Sequence, residues 1–216
     1  MSMLAFNPII ALLLTSLVAA AALAFVRDYR WSARLNILAS FVVLLFALLL
    51  FRGRPPVDDL LLADDLNVVF IALNAFVGLT TSVFSASYIG HELETGRLTP
   101  GYLRFYHVMF QLMMFGMDLA LTANNIGLMW VAIELATLST IMMVGIYRTH
   151  EALEAAWKYF ILGSVGIALA LFGTILVYLA AVSTIGEGMG AMAWTNLLRH
   201  AATLDPSLLN IAFVFL

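Results

Sequence analysis

A series of apolar runs, each about as long as a bilayer is thick, constrains the fold of this chain more than any other feature. A helix of about 20 apolar residues crosses the roughly 30 Å hydrocarbon layer. Six such runs are present: Leu4 to Val26, Leu35 to Phe51, Leu66 to Ile89, Phe105 to Thr122, Asn125 to Tyr147 and Ala155 to Val182. Backbone polar groups in lipid must pair within their own segment, and the runs show no alternation of period two. The sequence predicts an all-α, polytopic transmembrane helix bundle with six full spans.

The composition excludes a soluble globular protein. Hydrophobic residues make up 63% of the chain and charged residues 11%, with a mean hydropathy of +1.02. Soluble domains are about half apolar and about a quarter charged. The chain contains no cysteine, so disulfides, thiolate metal sites and cysteine nucleophiles are excluded.

The last part of the chain predicts the start of a seventh helix. Asp205 and Pro206 match an N-cap followed by proline at the first helical position, and ten residues follow from Ser207. Half a span is not a stable membrane element, so we expect an N-terminal fragment of a longer protein. The chain is divided into residues 1–122 (helices one to four), 123–182 (helices five and six, the candidate proton channel), 183–206 (an outer loop with a short surface helix at Ala193 to Leu204) and 207–216 (a truncated seventh helix).

Basic residues fall on one side of the predicted bundle. Loops on the cytoplasmic side of a membrane carry an excess of lysine and arginine. The basic residues after the first, third and fifth spans are Arg27, Arg30, Arg34, Arg97, Arg104, Arg148 and Lys158. This pattern predicts that these loops are cytoplasmic and that the N-terminus lies on the outer side.

Glu134 is the most informative single residue, because it lies near the middle of the fifth apolar run. A carboxyl at that depth costs roughly 2.5 to 3.5 kcal/mol on insertion scales, so a partner or a function is expected there. Two interpretations are open. Glu134 is either a proton-binding or charge-pairing site, or a protonated carboxyl that only packs within the bundle.

Lys158 is the candidate basic partner of Glu134. If helices five and six form a hairpin that turns near Thr149, Glu134 lies about 20 Å and Lys158 about 12 Å from the turn. Direct contact is therefore not expected, whereas a relay through water fits these distances. The alternative is that Lys158 extends to the headgroups and only sets topology.

Two more titratable residues in the fourth run are candidates for proton access. Asp118 lies in GMDLALTANN, near the outer end of the span, where we expect water to reach it. A purely interfacial or helix-terminal role is the alternative for Asp118. His107 lies near the start of the same span, and histidine titrates near neutral pH. Phosphate loops, nucleophile elbows and paired metal ligands are not found in the sequence, so any redox chemistry is expected on another subunit.

Several short motifs together carry a family resemblance. They are the NN turn at Asn124 and Asn125, the W-x-x-I-E core from Trp130 to Glu134, the E-A-A-W-K-Y segment from Glu154 to Tyr159, and the ASYIGHELE loop from Ala86 to Glu94. With these motifs the segment from Leu121 to Tyr178 resembles the proton-translocating, antiporter-like subunits of respiratory complex I and of Mrp cation/proton antiporters. Within that family it is most similar to the component F type of hydrogenase 4 (formate hydrogenlyase).

The resemblance implies a role for the candidate residues. Glu134 matches the fifth-span glutamate that pairs with a lysine in the family, and Lys158 matches a sixth-span lysine found in many members. The family's seventh helix is broken and carries a central lysine, and this sequence ends before that position.

The resemblance also implies a function, a setting and partners. It implies a proton-translocating membrane subunit of a redox-driven complex of the hydrogenase 4 or NADH:quinone oxidoreductase type, in a bacterial or archaeal cell membrane. The expected partners are other membrane-arm subunits, a peripheral redox arm and the lipid bilayer, with no nucleic acid. No cofactor is expected on this chain, since quinone, nickel–iron and iron–sulfur sites would lie on other chains. An Mrp-type antiporter subunit and a non-pumping membrane scaffold are the alternatives.

Overall fold

The computed structural model describes residues 7–216, and Leu4 to Phe6 of the first predicted span lie outside this range. Eight α-helices are found in the described part. They are α1 (Pro8–Phe25), α2 (Tyr29–Leu49), α3 (Asp65–Glu94), α4 (Pro100–Thr122), α5 (Ile126–Val144), α6 (His150–Ile185), α7 (Trp194–His200) and α8 (Pro206–Phe215). The predicted all-α membrane bundle is confirmed.

The first six helices coincide with the six predicted spans, but one of them is less apolar than a typical membrane span. Five of them, α1, α2, α3, α5 and α6, are long and apolar enough to cross a membrane, and α4 does not reach that apolarity. The lower apolarity of α4 follows from its central position. It packs against α1, α2, α3 and α5. A helix surrounded by other helices meets little lipid and can carry polar side chains toward its neighbours.

Seven of the eight α-helices in the described part begin where the sequence offers a capping side chain. An oxygen of each of these residues accepts a hydrogen bond from a backbone N–H in the first turn: Asn7, Asp28, Asp64, Thr99, Asn125, Thr149 and Asp205. Such caps satisfy donors that the helix itself leaves unpaired. The predicted helix start at Asp205 and Pro206 is observed, and α8 packs against α6, where a methyl group at Gly173 would lie 3.1 Å from the carbonyl oxygen of Ala212.

At the end of the bundle that carries the α4–α5 turn, the side chain of Asn124 joins three segments. Its amide nitrogen donates to the carbonyl oxygen of Asp58 at 2.6 Å and to Thr195 Oγ1 at 3.0 Å, and its Oδ1 accepts from the backbone N–H of Thr195 at 3.2 Å. Asn124 is buried and connects the loop before α3, the α4–α5 turn and the start of α7. The surface segment that contains α7 is therefore held to the bundle at the α4–α5 turn.

We expect Asn124→Ala to destabilise this end of the bundle more than Asn125→Ala. The first change removes three side-chain hydrogen bonds and costs about 2 to 4 kcal/mol. The second change mainly removes the α5 cap and costs about 1 kcal/mol. Thermal unfolding of the purified protein in detergent measures the difference. Equal losses in the two variants would contradict the role of Asn124 as the connection.

Candidate functional site

Glu134 lies on the face of α5 that packs against α6. Trp130, Glu134 and Thr137 are spaced by four and three residues, which places them on one face of a helix. Trp130 Nε1 donates to the carbonyl oxygen of Ile167 on α6 at 2.9 Å. A methyl group at Gly163 would lie 3.4 Å from Thr137 Cγ2. Glu134 therefore lies at the level of residues 163–167 of α6.

The other side of α5 is fixed against α4 by a close backbone approach. A methyl group at Gly116 would lie 2.9 Å from the carbonyl oxygen of Ala132 and 2.9 Å from the backbone nitrogen of Ala136. Real Cβ atoms do not approach backbone atoms so closely, so α4 and α5 can meet in this way only with glycine at 116. Because Ala132 and Ala136 face α4, the glutamate between them is turned away from α4.

The carboxyl of Glu134 is left without a hydrogen-bond partner in the described part of the chain. The residue is half-buried, and its Oε2 is fully enclosed with no hydrogen-bond partner among residues 7–216. A carboxyl oxygen enclosed in this way loses its hydration without compensation, so native structures rarely leave one unpaired unless water, an ion or a functional proton takes part. This orphaned oxygen is the strongest sign of function on α5.

Lys158 does not contact Glu134. Its Nζ donates to Glu154 Oε1 at 2.5 Å, one turn earlier on α6, and its side chain is 71% exposed. Since Thr137 lies beside Gly163, the offset between Glu134 and Lys158 along the helix axes is about 12 Å. A direct ion pair is thus not formed, and a link between the two residues requires intervening groups or water.

Asp118 is fully buried, although its sequence position near the outer end of α4 suggested contact with water. Asn74 Nδ2 on α3 donates to Asp118 Oδ1 at 2.8 Å, while Oδ2 has no partner in the described part of the chain. The difference arises because α1 and α3 both pack on α4 and cover this face. Asn74 itself lines a groove of about 490 Å³ between α3 and α5 that also includes Thr137.

His107 is also fully buried, and neither of its ring nitrogens has a hydrogen-bond partner within residues 7–216. Its imidazole meets the ring of Tyr106 edge to face, with centroids 5.4 Å apart. Asp118 and His107 lie on the same face of α4 because they are eleven residues, or about three turns, apart.

Sequence reasoning missed an amide pair that lies between these two residues. Gln111 Nε2 on α4 donates to Asn36 Oδ1 on α2 at 2.8 Å and to Ser40 Oγ at 3.3 Å, and all three side chains are buried. The available signal was the spacing of His107, Gln111 and Asp118, which recur at helical intervals in an otherwise apolar run.

A buried carboxyl near the C-terminal end of α3 was missed as well. Glu92 in the last turns of α3 is 3% exposed; its Oε1 accepts from Arg97 at 3.4 Å and its Oε2 has no partner in the described chain. The hydroxyls of Tyr88 and Tyr147 lie 3.0 Å apart nearby. Burial, the Tyr88 hydroxyl and the charge of Glu92 together raise the pKa of Tyr147 above its ordinary range.

Comparisons with known proteins agree with the geometry of a membrane bundle. Residues 123–215 match the family described as NADH:quinone oxidoreductase/Mrp antiporter, transmembrane. The chain is 60% identical over 191 residues, 88% of its length, to the hydrogenase-4 component F homolog of Methylacidiphilum infernorum. It is 26% identical over 172 residues, 79% of its length, to NADH-quinone oxidoreductase subunit N 2 of Thermodesulfovibrio yellowstonii.

Chains in solved structures of membrane complexes also match the fold of this chain. A chain of respiratory complex I from Thermus thermophilus matches 96% of this chain with a TM-score of 0.70 and 25% identity. A chain of an archaeal membrane-bound sulfane sulfur reductase matches 96% with a TM-score of 0.77 and 17% identity, which supports the fold alone. The resemblance found from the motifs is confirmed. The chain spans 40% and 36% of the two curated relatives and 42% of each structural match.

We expect Gly116→Ala to destabilise the bundle, because the new methyl group would overlap the backbone of α5 rather than a movable side chain. The cost is about 1 to 3 kcal/mol. Gly101→Ala on the same helix is the matched control, since a methyl group there would meet only Thr99 Oγ1 at 3.7 Å. Thermal unfolding in detergent compares the two variants. Equal stability of both would show that α4 and α5 do not meet as closely as the structure indicates.

Proposed function

We propose that this chain is part of a proton-translocating membrane subunit of a redox-driven complex. Its residues 123–215 match the NADH:quinone oxidoreductase/Mrp antiporter transmembrane family. The hydrogenase 4 or NADH:quinone oxidoreductase type fits best, given the relatives named above. Residues 123–182, which contain α5 and α6, would form part of the proton channel.

The enclosed carboxyl of Glu134 carries this proposal. An acid within a membrane helix is costly, and it is retained where it pairs with another group or takes part in ion movement. Glu134 faces α6, and its Oε2 lacks a protein partner within residues 7–216. We assign it the role of binding and releasing the translocated proton, driven by a change in the charge or distance of a basic group.

Lys158 is the basic group that we propose for this change. Its exposed ion pair with Glu154 is worth little, since such pairs typically contribute less than about 1 kcal/mol. The ammonium can therefore leave Glu154 at small cost. Lys158 lies two residues from Ala156, which faces α5, and so projects from the other face of α6. In this proposal a displacement of the Lys158 charge would act on Glu134 through water or intervening groups and so move the proton.

The setting of the subunit follows from the same proposal. The N-terminus would lie on the outer side of a bacterial or archaeal cell membrane, as the basic loops predict. Other membrane-arm subunits and a peripheral redox arm would be its partners, and the redox cofactors would lie on those chains. An Mrp-type cation/proton antiporter subunit is the second candidate, because the matching family model covers both kinds of protein.

Glu134→Gln is expected to reduce proton translocation to less than about a tenth, because glutamine keeps the size and polarity of the side chain but cannot release a proton. Proton uptake into inverted membrane vesicles that contain the assembled complex measures the effect, with the amount of assembled complex determined in parallel. Glu151→Gln removes an exposed carboxyl from the first turn of α6 and should leave uptake unchanged. Unchanged uptake in Glu134→Gln would favour the scaffold alternative.

Lys158→Ala is expected to lower the protons translocated per electron severalfold, whereas Glu154→Gln is expected to leave that ratio near normal. Both changes break the same surface ion pair, so a difference between them isolates the role of the ammonium. Simultaneous recording of electron transfer and proton uptake gives the ratio. If Lys158 only sets topology, Lys158→Ala will reduce the amount of inserted protein and leave the ratio intact.

A further inference from the structure

We propose that the buried polar side chains facing α4 line a hydrated proton path that is separate from Glu134. The path would run along the inner face of α4 from His107 to Asp118. Eleven residues of helix cover about 16 Å, which is about half of the hydrocarbon thickness. The proposal rests on the proton translocation proposed above, and it adds a route through the first four helices.

The cytoplasmic section of the path is formed by α2 and α4. Both helices run from the cytoplasmic side outward under the topology predicted from the basic loops, and the Gln111–Asn36 hydrogen bond sets their relative height. One turn closer to the cytoplasm, His107 on α4 and Ser32 on α2 therefore lie at a similar level. Ser40 lies one turn beyond Asn36 on α2, and its hydroxyl accepts a hydrogen bond from Gln111.

Four of these side chains have hydrogen-bonding capacity that the described part of the chain does not use, whereas Ser40 Oγ donates to the carbonyl oxygen of Asn36 and accepts from Gln111. The atoms are fully enclosed and have no partner in residues 7–216: Ser32 Oγ, Asn36 Nδ2, Gln111 Oε1 and both ring nitrogens of His107. A single buried polar atom without a partner costs about 1 to 3 kcal/mol. Five such atoms within three turns are best explained by internal water, which both donates and accepts hydrogen bonds.

The outer section consists of Asp118 and Asn74. Asp118 Oδ1 accepts from Asn74, and the enclosed Oδ2 is free of protein partners in the described chain. Asn74 is half-buried and lines the groove between α3 and α5. A proton on Asp118 can therefore leave through water beside Asn74, on the side of the bundle where Thr137 lies one turn from Glu134.

Met114 separates the two sections. Its side chain is 4% exposed and occupies the space beside Gly78 on α3, where even a methyl group would overlap the Met114 thioether. Residue 114 lies on the same face of α4 as Gln111 and Asp118, between the two polar levels. An unbranched, flexible side chain at this point interrupts the water file and can move aside without a backbone change. In this proposal the path opens when Met114 changes rotamer.

The chain contains no cysteine, so hydration can be measured with single cysteines placed on α2. Ser32→Cys and Ser40→Cys are nearly isosteric changes at buried positions, and Val43→Cys is the control in the apolar core one turn from Ser40. Intact membranes with the full-length protein are treated with silver ions, which travel through water and not through hydrocarbon. Denatured protein is then alkylated with N-ethylmaleimide, and mass spectrometry counts the thiols that silver protected.

We expect silver to protect the cysteines at 32 and 40 about tenfold faster than the cysteine at 43, because only a hydrated thiol forms the reactive thiolate readily. Equal rates at 40 and 43 would overturn the proposal. Two serine sites are used so that poor insertion of one variant leaves the other to decide. Because this labelling needs no turnover, its result does not depend on the proposed function.

A second measurement tests whether the water conducts protons. Gln111→Leu replaces the amide by an apolar group of similar size and should lower proton uptake in vesicles severalfold while Glu134 is intact. Full uptake in Gln111→Leu, together with the loss expected in Glu134→Gln, would overturn the path and leave the role of Glu134 standing. Unchanged uptake in both variants would instead refute the function proposed for the subunit.

Discussion

The cost of leaving a polar group unpaired inside a bilayer governs this structure. That cost makes helices the only usable spans, because each helix satisfies its own backbone. It also gives meaning to the few polar side chains that are placed at depth. A serine, amide or carboxyl that faces the interior of the bundle must find protein, water or an ion, and each one that finds no protein partner points to a functional group nearby.

Two sets of orphaned atoms lie on opposite sides of the α4–α5 contact. One group lies on α2 and α4 and includes Asn36, His107 and Gln111; the other is the carboxyl of Glu134 on the α6 side of α5. Gly116 lets the two helices meet at backbone distance, so α5 is held rigidly between the groups. In the proposed mechanism this rigid element keeps the two proton-binding regions apart, and only side chains and water need to move.

Local sequence patterns are sufficient to predict some features of this structure and not others. Helix ends could be predicted because capping depends on neighbouring residues only, as Asp205 and Pro206 illustrate. The intramembrane position of Glu134 could be predicted because the hydropathy of the single run that contains it is sufficient to identify a membrane span. The partner of Lys158 could not be predicted in this way. Glu154 lies four residues earlier on the same helix and forms an ion pair with Lys158 in place of a more distant acid. Asp118 was misjudged for a similar reason, because its depth along the helix says nothing about the helices that cover it.

The sequence by itself therefore determined the class of the protein, the number and extent of its long helices, and the family that residues 123–215 match. The tertiary structure decided which helix is central, which residues meet, and which polar atoms remain without a partner. Apolarity and capping act within about twenty residues, whereas the contact of Gln111 with Asn36 joins positions 75 residues apart. Such a contact depends on how the helices pack, and no periodicity within a single span encodes it.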